Sequence, residues 1–277
     1  MSKHRDLAQT LADGVRRLTD STRWTQYLTS MSHFHTYSSA NVMLILMQCP
    51  HASRVAGYKA WEKMDRHVRK GEHGIAIFGH PRPVYTKDPD TGERTEDPER
   101  VFWPTCYVFD VSQTEGEPLP TITDELHGES HLLNQLTDIA KGYGLTVSIE
   151  EMAATVGGYV DRTNHIGLNQ AKAEAHQAQT LAHEIGHYLL GHTRDRAQTP
   201  RPQKEMEAES VAYVVCSSAG LPCDGYTFGY LTSWSRGDPE KVETQIRESA
   251  AAIQKAAHEI LSQLQPEPAS SREEKAA

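Results

Sequence analysis

The stretch from His183 to His192, HEIGHYLLGH, sets the reading of the whole chain. At 3.6 residues per turn, His183 and His187 leave one helical face a single turn apart. Two imidazoles so placed form a metal clamp suited to Zn2+. Glu184 lies beside the first of them, where a carboxylate can take a proton from a metal-activated water. The pattern predicts a zinc-dependent hydrolase site.

Zinc chemistry needs a third protein ligand and an open fourth position. A histidine in the longer HExxHxxGxxH pattern is excluded, because Leu190 and Thr193 stand where its glycine and last histidine would be. The next candidates come from KEMEAESVAYVVC at 204–216, where Glu205, Glu209 and Tyr213 share one helical face. Glu205 is assigned as the third ligand, and Glu209 is placed behind it, orienting a ligand histidine. Spacing alone allows these two to exchange roles. Glu207 points elsewhere, Tyr213 is a candidate transition-state donor, and His192 reads as a solvated histidine at the helix C-terminus.

The 277 residues, 38% of them hydrophobic, suffice for two domains that each bury a core. No apolar run is long enough for a membrane span, and the N-terminus has no apolar signal core, so a cytoplasmic protein is expected. Cys49, Cys106, Cys216 and Cys223 form no CxxC pair, which disfavours a zinc ribbon or a disulfide framework. The net charge of −9 is unevenly spread. Residues 1–82 hold 12 Lys and Arg against 6 Asp and Glu, a net +6, which suggests different partners for the two halves.

In the first half, residues 3–29 carry Leu7, Leu11, Val15 and Leu18 at helical spacing, with a break near Asp20-Ser21. A core helix follows from Ser38 to Cys49-Pro50, then a short one over Tyr58–Met64. Strands are expected at Gly74–Phe78, Pro83–Thr86 and Val101–Val111, with KDPDTGERTEDPER as an exposed hairpin loop. Trp24, Tyr27, Phe34, Tyr37, Tyr58 and Trp61 alternate with Arg54, Lys59, Lys63, Arg66, Arg69 and Lys70. Single-stranded nucleic acid is held by such cations along its backbone and by aromatic faces against its bases. Most of these rings belong in a core, so no more than two or three are expected to be exposed.

The block from Trp24 to Pro81, with YSSAN at 37–41, VAGYKAW at 55–61 and VRKGEHGIAIFGHP at 68–81, resembles the N-terminal domain of ArdC-type antirestriction proteins. The resemblance implies a single-stranded DNA-binding domain of about the first 112 residues, joined to a metallopeptidase domain. Its DNA-binding candidates are Tyr37, Asn41, Tyr58, Lys59, Trp61, Arg66, Arg69 and Lys70. Gly71 and Gly74 would let the backbone pass close to a phosphate, with Arg69 and Lys70 supplying charge. Asp65 departs from the pattern, which has a glycine ahead of the arginine matched by Arg66.

Residues 113–125 read as a linker, 126–265 as the second domain and 266–277 as a disordered tail. Within the second domain, helices are expected over Glu125–Tyr143, Ala171–Gly191, Lys204–Ala219 and Pro239–Leu264. Strands are expected at Leu145–Glu150, Gly158–Asp161 and His165–Asn169. The chain is thus α+β, with a helical/β N-terminal domain and a zincin-like C-terminal domain. The second half resembles the zincin-like domains of ArdC and the ImmA/IrrE peptidases. That resemblance implies Glu184 as general base and His183, His187 and Glu205 as ligands, with His165–Asn169 as an edge strand for extended peptide. Taken whole, it implies shielding of conjugative DNA from restriction and an unidentified protein or peptide substrate. A repressor-cleaving regulatory protease and a non-catalytic DNA binder with a structural zinc are the alternatives.

Overall fold

The structure, a computed structural model, describes residues 2–87, 93–119, 129–161, 163–192, 199–223, 228 and 238–264. The expected tail, the start of the helix at Glu125 and part of the linker lie outside them. The chain forms two compact units. The first holds residues 1–17 and 40–119, and the second residues 18–39 and 120–277. Residues 18–39 therefore group with the C-terminal unit, and 113–119 with the N-terminal unit.

In the first unit, α1 (Ser2–Arg16) buries Leu7, Leu11 and Val15. α3 (Ser39–Gln48) brings Met43 and Met47 so close to Gly14 that a Cβ there would meet the Met43 sulfur at 2.6 Å. A three-stranded sheet in the order β1-β6-β3 joins Val55–Ala56, Thr105–Asp110 and Ile75–Phe78. Asn41 and Gln48, two turns apart on α3, close the outer edge of β3. The Asn41 amide donates to Phe78 O and accepts from Phe78 N, both at 2.9 Å, and Gln48 does the same with Ala76 at 2.8 and 3.0 Å. Side-chain amides thus satisfy an edge that would otherwise offer itself for pairing.

Two two-stranded ribbons are also described in this unit: β2 (Arg66–Val68) with β7 (Thr114–Gly116), and β4 (Arg82–Lys87) with β5 (Arg94–Phe102). The expected strand over 101–111 is divided, since β5 ends at Phe102 and β6 starts at Thr105, beyond Pro104, which has no N–H to donate. β5 also extends into the charged stretch expected to be loop. Arg94, Glu96 and Arg100 on it are exposed, and no residue of the ribbon whose burial is described is buried, so it shows no buried face to produce alternation. Asp65 takes the left-handed φ of 55° that the resembling glycine would supply, a conformation aspartate tolerates. α4 (Tyr58–Glu62) packs beside β6 and β2, with Trp61 fully buried and its Nε1 donating to Phe109 O at 2.9 Å.

Asp110 ties this unit together. Its buried carboxylate accepts from the backbone N–H groups of Ser53, Arg54 and Ser112 at 2.8, 3.1 and 2.9 Å. Burial alone would raise its pKa, but the hydrogen bonds from Ser112, Ser53 and Arg54 hold it below the usual carboxylate value. Asp110→Asn places an NH2 where an acceptor is needed and should destabilise the protein by about 1–3 kcal/mol. Because the folded-state pKa is depressed, the wild-type advantage is present above the ordinary aspartate range and lost as pH falls through the depressed value. Denaturant melts of both proteins from neutral to acidic pH test this, and an unchanging gap would contradict it.

In the second unit, α2 (Ser21–His33) starts at Asp20, whose side chain caps Arg23 N. Trp24, Tyr27, Leu28 and Met31 are buried. The helix lies on α7 (Arg201–Ser218), bonded by Trp24 Nε1 to Ser210 Oγ at 3.0 Å and by Thr29 Oγ1 to the Tyr213 hydroxyl at 2.9 Å. The remaining α-helices among the described residues are α5 (Glu129–Gly142), α6 (Glu174–Leu189) and α8 (Pro239–Leu264). The expected stripe of Val242, Ile246, Ala250, Ile253, Ala257 and Leu261 on α8 is buried.

The sheet of this unit has the order β8-β10-β9, from Thr146–Glu150, His165–Asn169 and Gly158–Val160. β10 pairs in parallel with β8 and antiparallel with β9. It is therefore the central strand, which overturns its expected role as an edge for peptide. Four of its five residues are buried, as a central position requires. No described helix is long and apolar enough to cross a membrane.

Candidate metal centre

α6 and α7 approach closely because of Gly186. A Cβ at that position would stand 3.3 Å from Val211 Cβ and 3.4 Å from Ala208 O, so the absent side chain sets the contact between the two helices. Glu205, one turn before that contact on α7, thereby reaches the two histidines of α6. His183 Nε2 and His187 Nε2 lie 2.9 Å apart, and Glu205 Oε2 is 3.5 Å from each. Their ligand atoms all lie within 4.8 Å of one another, and this is the metal-capable group found among the described residues. A tetrahedral zinc with ordinary bond lengths separates its ligand atoms by about 3.3 Å, so the observed spacings bracket what the ion requires.

A cavity of about 470 Å³ opens over the three donors, lined also by Val160, Glu184, His192, Thr199, Arg201 and Lys204. Glu184 is buried at its wall. Val160 comes from β9, so the edge strand nearest the donors is β9.

Behind the donors lies a chain of side chains that the sequence pattern did not reveal. His192 is buried, not solvated as expected. Its Nδ1 is 3.0 Å from His187 Nδ1, and its Nε2 is 3.0 Å from Glu207 Oε2. Glu207 also accepts from Ser249 Oγ at 2.6 Å and Gln203 Nε2 at 2.9 Å. Hydrogen-bond logic then fixes each tautomer. The acceptor-only carboxylate accepts a hydrogen bond from His192 Nε2–H, so His192 Nδ1 accepts from His187 Nδ1–H, which leaves the His187 Nε2 lone pair for a metal.

A helix-ending motif produces this arrangement. Gly191 has a φ of 71°, and His192 N bonds His187 O at 2.9 Å, the 6→1 bond of a Schellman turn. Such a turn folds the residue after the glycine back onto the last helical turn, here His192 onto His187. The Gly-His pair at 191–192 was the available signal for it.

Two expected supporting roles are therefore corrected. Glu209, assigned to hold a ligand histidine, interacts with His183 through charge, and the hydrogen-bonded support comes from His192 and Glu207. Tyr213 is buried against Phe228, with its hydroxyl bonded to Thr29, so it is not placed to donate to a substrate.

The local electrostatics follow the same geometry. Burial pushes the His187 pKa down, to about 3, aided by the neighbouring charges of His183 and His192. Burial would also lower His183, but its hydrogen bond to Glu205 and the charges of Glu184, Glu205 and Glu209 raise it. The same hydrogen bond holds Glu205 down to about 2 against burial, with help from His187 and Arg201. Burial raises Glu209, reinforced by Glu205. Glu207 is lowered despite its burial, because His192, Ser249 and Gln203 hydrogen-bond its charged form.

Glu207→Gln can present an amide NH2 to His192 and reverse the tautomer chain. Metal affinity, measured by chelator competition, should fall about 10- to 100-fold. Wild-type affinity in that variant would remove Glu207 from the support.

The structure distributes the eight DNA-binding candidates unequally. Tyr58 is 49% exposed, and Lys59 and Lys70 of the same unit are also exposed. Trp61 is core and cannot stack on a base, and both ends of the Asn41 amide are held by β3. Arg66 bonds Thr114, Gly116 and Glu117, and Arg69 bonds Glu72 and Ser112 O. Tyr37 is half-buried against Phe34 in the second unit. Of the six aromatics read from the sequence, only Tyr58 is exposed, within the expected limit of two or three. Gly74 is small because Tyr107 and Phe109 crowd it, at 3.0 and 3.1 Å from a Cβ built there.

Comparison with known proteins divides the chain in a similar way. Residues 6–109 match the profile of the N-terminal domain of anti-restriction factor ArdC, and residues 140–217 match that of the IrrE N-terminal-like domain of a peptidase family. An uncharacterised protein of Bacillus anthracis is 25% identical over 88% of this chain, and the match covers 49% of the relative, so this chain spans about half of that relative's length. The crystal structure of the metal-free antirestriction protein ArdC from plasmid R388 is 21% identical, with a TM-score of 0.52 over 82% of this chain and 85% of that one. The Mn(II)-bound structure of that protein is 20% identical, with a TM-score of 0.49 over 82% of this chain and 84% of that one.

Proposed function

From a chain that joins an ArdC-type N-terminal domain to an IrrE-like metallopeptidase-like domain, we propose an antirestriction protein that binds single-stranded DNA and hydrolyses a protein with the help of zinc. The observation that carries the hydrolytic half is the convergence of His183, His187 and Glu205 beside Glu184 in one cavity. Two neutral nitrogens and one carboxylate suit a divalent ion of zinc's character and leave room for a further ligand.

In this reading His183, His187 and Glu205 hold the ion, and the chain from Glu207 through His192 keeps His187 in its ligating tautomer. When bound, zinc supplies Lewis acidity toward a substrate carbonyl and a water. Glu184 takes the proton of the attacking water on a carboxylate oxygen and returns it to the departing amine nitrogen. β9, an edge strand with Val160 at the cavity, is the place for extended peptide to pair. Arg201 at the cavity mouth, its Nε 3.7 Å from Glu205 Oε1, tempers the negative charge of the ligand set.

DNA binding is supported by the match of residues 6–109, a domain type associated with DNA binding, and by the excess of cations in residues 1–82. Proteomic comparison of cells expressing the wild-type chain or Glu184→Gln tests the hydrolytic half. A protein that is lost, and recovered as fragments, only with wild type is expected. Identical proteomes during conjugative transfer would count against hydrolysis. Fluorescence anisotropy of the purified chain with labelled single and double strands over a salt series tests the other half. Single-strand preference with falling affinity at higher salt is expected, and a duplex preference would refute it.

A further inference from the structure

The outward face of the sheet β1-β6-β3 carries a set of aromatic rings that the sequence pattern did not group. In β6 the register places Val108 opposite Ile75 and Cys106 opposite Ile77, and Ile75, Ile77 and Val108 are buried on the inner face. Tyr107 and Phe109, one residue out of phase, therefore share the other face. The Gly74 position lies between them, with Tyr107 Cβ at 3.0 Å and Phe109 Cζ at 3.1 Å from a Cβ built there. Tyr58, entering from α4, meets Phe109 edge-on with ring centroids 6.4 Å apart. The outer two rings are open to solvent, Tyr58 at 49% and Tyr107 at 45% exposure, and Phe109 between them is half-buried.

Resting on the single-strand reading above, we infer that Tyr58, Phe109 and Tyr107 form the platform on which two or three bases of single-stranded DNA stack. Unpaired bases stack on aromatic faces without regard to sequence, and flanking cations neutralise the backbone. Residues 40–82, which supply Tyr58, hold seven Lys and Arg against three Asp and Glu, a net +4. Lys59 directly follows Tyr58, and Lys70 stands in the turn that leads to Gly74; both are exposed.

Charge separates this face from the other exposed rings of the same unit. Tyr85, Phe102 and Trp103 are 56%, 52% and 47% exposed on or beside the β4–β5 ribbon. The sequence from 87 to 100 holds three Lys and Arg against six Asp and Glu, a net −3, which repels phosphate. Gly74, small because of its crowded neighbours, also keeps the space between Tyr107 and Phe109 free of a side chain.

The test uses the full-length chain and a short labelled oligothymidylate. Tyr58→Ala and Tyr107→Ala should each weaken binding by about tenfold or more, and Tyr107→Phe should stay within about twofold of wild type. Neither alanine variant should change the salt slope, because no charge is lost. Tyr85→Ala should bind as wild type. Photocrosslinking of a bromodeoxyuridine oligonucleotide to the wild-type chain gives a readout independent of the folding of any variant, with adducts expected at Tyr58 or Tyr107. Undiminished binding by both alanine variants, or adducts confined to the β4–β5 ribbon, would overturn the platform and leave single-strand binding intact. Failure of the wild-type chain to bind any single strand would overturn both.

Discussion

Glu184→Gln is expected to keep its metal and lose hydrolysis by about 10²- to 10⁴-fold. The substitution preserves size and leaves His183, His187 and Glu205 untouched, so the ion should stay. It removes a carboxylate that can carry a proton, and an amide cannot replace it. Glu184 is buried at the cavity wall, where no bulk water can stand in for it as a base at comparable effective concentration. The check is elemental analysis of the purified variant together with cleavage of the substrate found by proteomics. Full metal content with unimpaired cleavage would remove Glu184 from the base role. Loss of both would show instead that the residue supports the site's structure.

His183→Ala should strip the metal. Removing a residue that merely orients a ligand costs about 10- to 100-fold in affinity, so removing one of three direct ligands should cost more than about 100-fold. Folded protein purified without chelator should then carry almost none, and His187→Ala should behave alike. Wild-type metal content in both folded variants would end the assignment of the site.

Proton competition adds a pH signature. His183 must be neutral to bind an ion, and in the metal-free site the Glu205 hydrogen bond and nearby carboxylates raise its pKa despite burial. Affinity is therefore full above that raised pKa and falls as pH drops through it. His187, already pushed down to about 3, contributes no such loss in the same range.

Much of the candidate metal centre was legible before any fold. The i, i+4 spacing of His183 and His187 is a helical property, and helices are local, so their shared face and the adjacent Glu184 follow from the chain alone. The buried stripe of α8 and the break at Asp20 were legible for the same reason, since both are matters of period and cap.

Other features depended on which surfaces meet. Glu205, Glu207 and Glu209 all lie on α7, and the sequence left the choice between Glu205 and Glu209 open. The close approach of α6 and α7 at Gly186 selects Glu205 for the donor group, because it fixes how α7 is rotated and how far it stands from the histidines. The same rotation turns Glu207 toward His192, into a network with Ser249 from α8, a residue 42 positions away. No local pattern records a contact at that separation.

Strand order was likewise beyond reach. β10 shows the residues of a strand, but whether it is central or an edge depends on its partners β8 and β9. The aromatic residues divide by the same logic. Trp24 and Tyr27 alternate with cations in sequence yet are buried in the unit that holds α7, while Tyr107, outside every motif, stands open on β6. Sequence period determined which residues share a face of one element; only packing between elements decided which of those faces joins the donor cluster, the core or the solvent, because that depends on groups distant along the chain.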